Sequence, residues 1–155
     1  MPLILVISPK GYPTGGYILA EANAQNVAKL VPSPKLDMVY ESLNGGNPVF
    51  IVVSKKSNTD KTKTLETCKS AKSQIPGGAS IIEIDATDKK EEGLITQLKI
   101  NTSTNATTVV VLNASGQTTG TFEGNAETSS LVASATKVIR SGCCPGGSGS
   151  CKPKQ

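Results

Sequence analysis

Residues Val49 to Val53 form an unbroken apolar run that is rich in β-branched side chains and too short for a helix. Asn47 and Pro48 precede it, and a polar turn reaching Asp60 follows it. That composition suits a strand buried on both faces, as central parallel strands are. Ligands of α/β sheets usually bind beyond the carboxyl ends of such strands. A site of the commonest kind would therefore lie in the turn, which offers Ser57, Asn58, Thr59, Asp60 and Lys61 with no Cys or His.

The rest of the chain reads as layers around this strand. Leu3 to Ile7 is a predicted strand, and Pro9, Gly11, Pro13, Gly15 and Gly16 make a non-helical loop. Tyr17 to Val31 has helix-compatible spacing at Ala20, Ala24, Val27 and Leu30 or Val31. A better-marked helix starts with Ser33 as cap and Pro34 at its first position. It carries Leu36, Val39, Tyr40 and Leu43 on one stripe and ends at Gly45-Gly46. After the central strand, Asp60 is expected to cap a helix reaching Gln74, with Leu65, Cys68, Ala71 and Ile75 inward.

Ala79 to Ile84 is a second apolar strand closing in Asp85. Asp88 and Glu91 have the spacing of a capping box ahead of Leu94, Ile95 and Leu98. Thr108 to Leu112 and Thr118 to Glu123 read as a hairpin about Gly116. A last helix is expected to place Leu131, Ala135, Val138 and Ile139 on one face and to stop at Gly142. Strands alternating with helices, closed by a hairpin, argue an α/β class with a mixed sheet flanked by helices.

The length of 155 residues suits one domain with a real core. A net charge of +4 spread along the chain, with 3% aromatic residues, is a poor footprint for nucleic acid. No run approaches the roughly 20 apolar residues of a membrane-spanning helix. The N-terminal apolar run loosely mimics a secretion signal, but Pro9, Lys10 and Gly11 interrupt it and it reads better as a folded strand. The four cysteines do not decide a compartment.

Several segments, in order, resemble the thioredoxin-like fold family between Pro34 and Ile139. They are Asn47-Pro48-Val49 leading the central strand, Ile84-Asp85 closing the next, and Gly116 with Gly124-Asn125-Ala126 around the late hairpin. The resemblance implies a thioredoxin-like domain over 34–140, an N-terminal extension over 1–33 (strand plus helix), and a Gly/Ser/Cys tail over 141–155. In redox-active members a Cys-x-x-Cys would fall around Asn58, Thr59, Asp60 and Lys61, a cis-proline near Thr107 and a buried acid near Val52. All three are missing here. Ordinary thioredoxin catalysis is therefore not expected.

The tail holds Cys143, Cys144 and Cys151 around a Gly/Pro loop. Three thiols in that arrangement are candidate ligands for a soft ion such as copper(I), zinc, mercury(II) or arsenic(III). Lys137, Arg140, Lys152 and Lys154 would favour the thiolate form. The alternatives are a switchable or structural disulfide among Cys68, Cys143, Cys144 and Cys151, or no specific chemistry. Cys68, on a helix's apolar stripe, reads first as core.

Asp85 with Asp88 lacks the partners of a carboxylate mechanism. Lys55, Lys56, Lys61 and Lys63 form a basic edge whose default role is solvation. Asn101, Asn105 and Asn113 head formal glycosylation sequons. Three functional expectations follow. The first is a non-enzymatic protein whose tail binds a soft metal or cycles a disulfide, and the second is a structural or protein-interaction domain, including one that self-assembles. The third is a thiol oxidoreductase built from Cys68 and the tail, which needs those sulfurs near each other.

Overall fold

The computed structural model describes residues 2–139. In chain order the elements are β1 (Leu3–Ile7), β2 (Pro13–Ile18), α1 (Ala24–Leu30), α2 (Pro34–Asn44), β3 (Val49–Ser54), α3 (Lys61–Gln74), β4 (Ser80–Asp85), α4 (Glu92–Gln97), β5 (Thr108–Leu112), β6 (Thr118–Glu123) and α5 (Thr128–Thr136). Four strands form one sheet in the order β4-β3-β5-β6. β3 and β4 run parallel across the α3 crossover, while β3–β5 and β5–β6 are antiparallel. The chain is thus α/β, with a mixed four-stranded sheet flanked by helices.

Every residue of β3 is buried, as the apolar run predicts. Side chains alternate across a strand, so β3 feeds two cores. Val49, Ile51 and Val53 join Val39 of α2 and Leu94 and Ile95 of α4 on one face. Phe50 and Val52 meet Cys68 and Ala71 of α3 and Leu131 and Ala135 of α5 on the other. Full burial of a side chain such as Leu131 stabilises by about 1.5–3 kcal/mol, so the two layers carry most of the fold's stability.

The helix that precedes β3 starts and stops as the sequence predicts. The Ser33 hydroxyl accepts a hydrogen bond from the Leu36 amide, and Gly46 takes a φ of +76°, the left-handed conformation that glycine adopts without strain. One feature of this start was not expected. The Glu91 carboxylate, buried and far away in sequence, accepts from the Ser33 hydroxyl and the Lys35 amide. Glu91 therefore caps α2 and makes no capping bond to the helix it precedes, contrary to the capping-box expectation. Asp88 instead accepts from the Lys90 amide within its own turn.

Three further expectations are corrected. The segment read as a loop through Gly16 contains β2, paired antiparallel with β1 in a separate two-stranded sheet. Pro13, Gly15 and Gly16 hide it, because these residues are poor strand formers. A methyl group at Gly16 would come within 2.7 Å of the Ile4 carbonyl oxygen, so a glycine is required there. The helix expected over Tyr17 to Val31 is confined to α1, since Tyr17 and Ile18 pair with β1 and Asn23 caps the start by accepting from the Asn26 amide. The N-terminal extension is therefore two strands plus a helix.

Finally, α5 stops at Thr136, leaving Val138 and Ile139 outside the helix and 75% and 42% exposed. The Asn113 amide group, donating to the Lys137 carbonyl at 2.9 Å, holds the chain where it leaves the helix.

Replacing Glu91 with Ala should leave the Ser33 cap on Leu36 but strip the Ser33 hydroxyl and the Lys35 amide of their acceptor in a half-buried place. The expected loss is about 1–3 kcal/mol, read as a lower urea midpoint with an unchanged slope. A Glu91→Ala midpoint equal to wild type would remove Glu91 from the account of the fold.

Candidate functional site

The carboxyl end of β3 brings together the residues named for that turn. Asp60 sits at the N-cap position of α3, yet its side chain makes no capping bond. It reaches instead to Thr107, ahead of β5. The Thr107 amide donates to Asp60 Oδ2 at 3.0 Å, and the Thr107 hydroxyl donates to Asp60 Oδ1 at 2.7 Å. Asn58 Nδ2 lies 3.4 Å from the Thr107 hydroxyl oxygen. The two places where the resemblance puts a Cys-x-x-Cys and a cis-proline are thus joined to each other by a polar clasp. No described peptide bond is cis.

The clasp sets the charge on Asp60. Burial alone would raise its carboxyl, but the hydrogen bonds from Thr107 outweigh burial and hold it below the usual aspartate range. Asn58 Oδ1 is buried and accepts no hydrogen bond from the described residues. The enclosure beside it, lined in part by Val53, Asn58, Ile100 and Thr108, measures about 10 Å³, enough for no more than a water. On the Asn58–Thr107 side the turn is packed, whereas on the side of Ser54, Lys55, Lys61 and Asp85 an open cleft of about 270 Å³ remains.

Part of the neighbouring basic edge is matched by acids. Lys61 pairs with Glu83 at 3.1 Å. Asp85 accepts from the Thr87 amide and hydroxyl, which hold its carboxyl below the ordinary value, with Lys56 and Lys61 adding to the effect. Asp85 is therefore engaged in a turn and is not half of an acid/base pair with Asp88.

Cys68 lies in the core between α3 and α5, with no exposed surface. Burial pushes its thiol up to about 11, so it stays protonated and unreactive at neutral pH. Helices α3 and α5 share one face of the sheet. The tail thiols Cys143, Cys144 and Cys151 lie outside the described residues. Among the described residues, no three His, Cys, Asp or Glu side chains gather where a metal ion could be held. None of the described helices is long and apolar enough to cross a membrane.

Of the three sequons, Asn113 is the one the fold removes. It is buried, donating to Gln117 Oε1 and the Lys137 carbonyl and accepting from the Ser115 and Gln117 amides. Its side chain has no free amide to offer a glycosylating enzyme.

The most unusual surface is one that sequence reasoning did not single out as a site. β1 turns Leu3, Leu5 and Ile7 outward at 65%, 53% and 57% exposure, with Leu19 also exposed nearby. Residues two apart share one face of a strand, but no polar alternation marks the row, since all five residues of β1 are apolar and such a run reads as buried on both faces.

The clasp makes a pH-dependent prediction. A carboxyl whose folded pKa is depressed contributes stability above its unfolded pKa, near 3.9, and that contribution is lost as pH falls through the folded pKa. Thr107→Val should therefore cost about 1–2 kcal/mol at pH 7, and the gap to wild type should close in acid below about pH 4. Urea melts across pH 2.5 to 7 would show this; a gap independent of pH would mean that the Asp60 charge has no part in the clasp. No protein-family model, curated protein or solved structure matches this chain.

Proposed function

We propose that the protein is a thioredoxin-like scaffold that works by binding a protein surface, without thiol catalysis. The strand order β4-β3-β5-β6, the parallel β3–β4 crossover and the late antiparallel hairpin support the thioredoxin-like reading. The clasp between Asp60 and Thr107 supports the loss of catalysis, since it fills both halves of the usual redox centre with a hydrogen-bonded pair. The observation that carries the binding reading is the apolar row on β1. Contiguous exposed apolar side chains of this kind mark interaction sites.

A second reading concerns the tail. Because Cys68 is sealed in the core, any thiol chemistry falls to Cys143, Cys144 and Cys151, as ligands of a soft ion or as partners in a disulfide. The two readings are compatible: a binding scaffold can carry a thiol tail.

Both readings are testable on the full chain. A dye such as anilinonaphthalene sulfonate should bind folded wild type and lose most of its signal when Leu3, Leu5 and Ile7 are all replaced by Lys. Equal signal from both folded proteins would take the row out of the binding reading. Under reducing conditions, an alkylating reagent should add three labels to the native protein and the fourth, on Cys68, only after unfolding. Slower labelling with added zinc would favour the soft-ion tail, and unchanged labelling would count against it.

A further inference from the structure

The β1–β2 hairpin has a free edge as well as an exposed face. In an antiparallel pair, residues alternate between those whose N–H and C=O point at the partner strand and those whose groups point away. The Leu19 amide donates to the Pro2 carbonyl, and the Ser8 amide donates to the Tyr12 carbonyl. Pro2, Ile4, Val6 and Ser8 therefore face β2. Pro13, which has no N–H to give, stands opposite Ile7. The backbone groups of Leu3, Leu5 and Ile7 point to the outer edge, where β1 has no strand neighbour among the described residues.

Proteins blunt free strand edges with charge, proline or bulges. The β1 edge carries neither charge nor proline, and the one irregularity of the hairpin, between Val6 and Ile7, puts its extra residue, Thr14, on β2. The edges of the main sheet follow that rule, with Glu83 in β4 and Glu123 in β6. The outer strand of the hairpin's other side, β2, carries Pro13, Gly15 and Gly16. β1 carries Leu, Ile, Leu, Val and Ile, and nothing else. From Pro2 to Ala20 the only charged side chain is Lys10, and it is already bonded to Glu41 on α2.

From this edge we infer that β1 pairs with β1 of a second copy of the chain, antiparallel and centred on Leu5. The inference rests on the binding reading above and names its partner. The register is self-complementary, as a two-fold interface requires. With Leu5 opposite Leu5, Leu3 lies opposite Ile7 of the other copy, and all the outward N–H and C=O groups of the three residues meet acceptors and donors. The hairpins then form one four-stranded sheet in which both rows of Leu3, Leu5 and Ile7 lie side by side on the same face. Cross-strand apolar pairs of this kind each add a few tenths to about 1 kcal/mol. A five-residue strand pairing buries less than the roughly 1,200 Å² typical of a stable complex, so the dimer is concentration-dependent.

Sedimentation velocity on the full chain, with reductant and chelator present to exclude tail-linked dimers, tests this directly. Wild type should shift from monomer to dimer with concentration. Leu5→Pro removes the outward donor and spares the β1–β2 bonds, and Leu5→Lys places charge at the centre of the pairing. Each should raise the dissociation constant at least about tenfold, a change of roughly 1.4 kcal/mol. The Lys variant keeps the test valid if proline disturbs the hairpin. A wild type that stays monomeric overturns the pairing; if it still binds dye through the β1 row, the broader binding reading survives. A dimer unmoved by either substitution assembles elsewhere and overturns the pairing too.

Discussion

Burial of β3 on both faces is the constraint on which the structure depends. One strand supplies alternate residues to two separate cores, so both helical layers must be in place for either side of it to leave water. α2 and α4 cover Val49, Ile51 and Val53, while α3 and α5 cover Phe50 and Val52. A sheet with only one covered face could have used polar residues on the other. This one has no such freedom, and the low aromatic content means that Val, Ile and Leu do the filling.

Two long-range polar contacts finish what the apolar core begins. Glu91 ties the start of α2 to the loop before α4, and Asp60 ties the start of α3 to the entry of β5. Both are carboxylates that satisfy backbone donors of distant segments, where a charge-assisted hydrogen bond is worth more than a neutral one. The second occupies the place where a thioredoxin-like protein would do its chemistry. The scaffold is thus stabilised at the position where catalysis would need an exposed, reactive thiol.

The central sheet and α2 were legible in the sequence because their signals are local: an apolar run, a Ser-Pro start and a Gly-Gly stop. The destinations of Asp60 and Glu91 were not. Each stands at a helix start, and local rules assign it to that helix; only the fold brings Thr107 or Ser33 within reach. β2 was hidden because Pro13, Gly15 and Gly16 read as loop, and Gly16 is there for the close approach of Ile4. The end of α5 was misplaced because Val138 and Ile139 continue a helical stripe, whereas Asn113 holds the Lys137 carbonyl and the chain leaves the helix. The absence of a Cys-x-x-Cys around Asp60 could be read from the sequence, but the clasp between Asp60 and Thr107 could not.

The proposed binding rests on the β1 edge, where an outward backbone without a strand neighbour among the described residues meets exposed, uncharged Leu3, Leu5 and Ile7. Amide hydrogen exchange on β1, measured residue by residue at rising protein concentration, tests that claim most directly. At low concentration the amides of Ile4 and Val6 should be protected and those of Leu3, Leu5 and Ile7 open. Protection of Leu3, Leu5 and Ile7 should then grow with concentration while Ile4 and Val6 hold steady. Outward amides that exchange freely at every concentration would contradict the account.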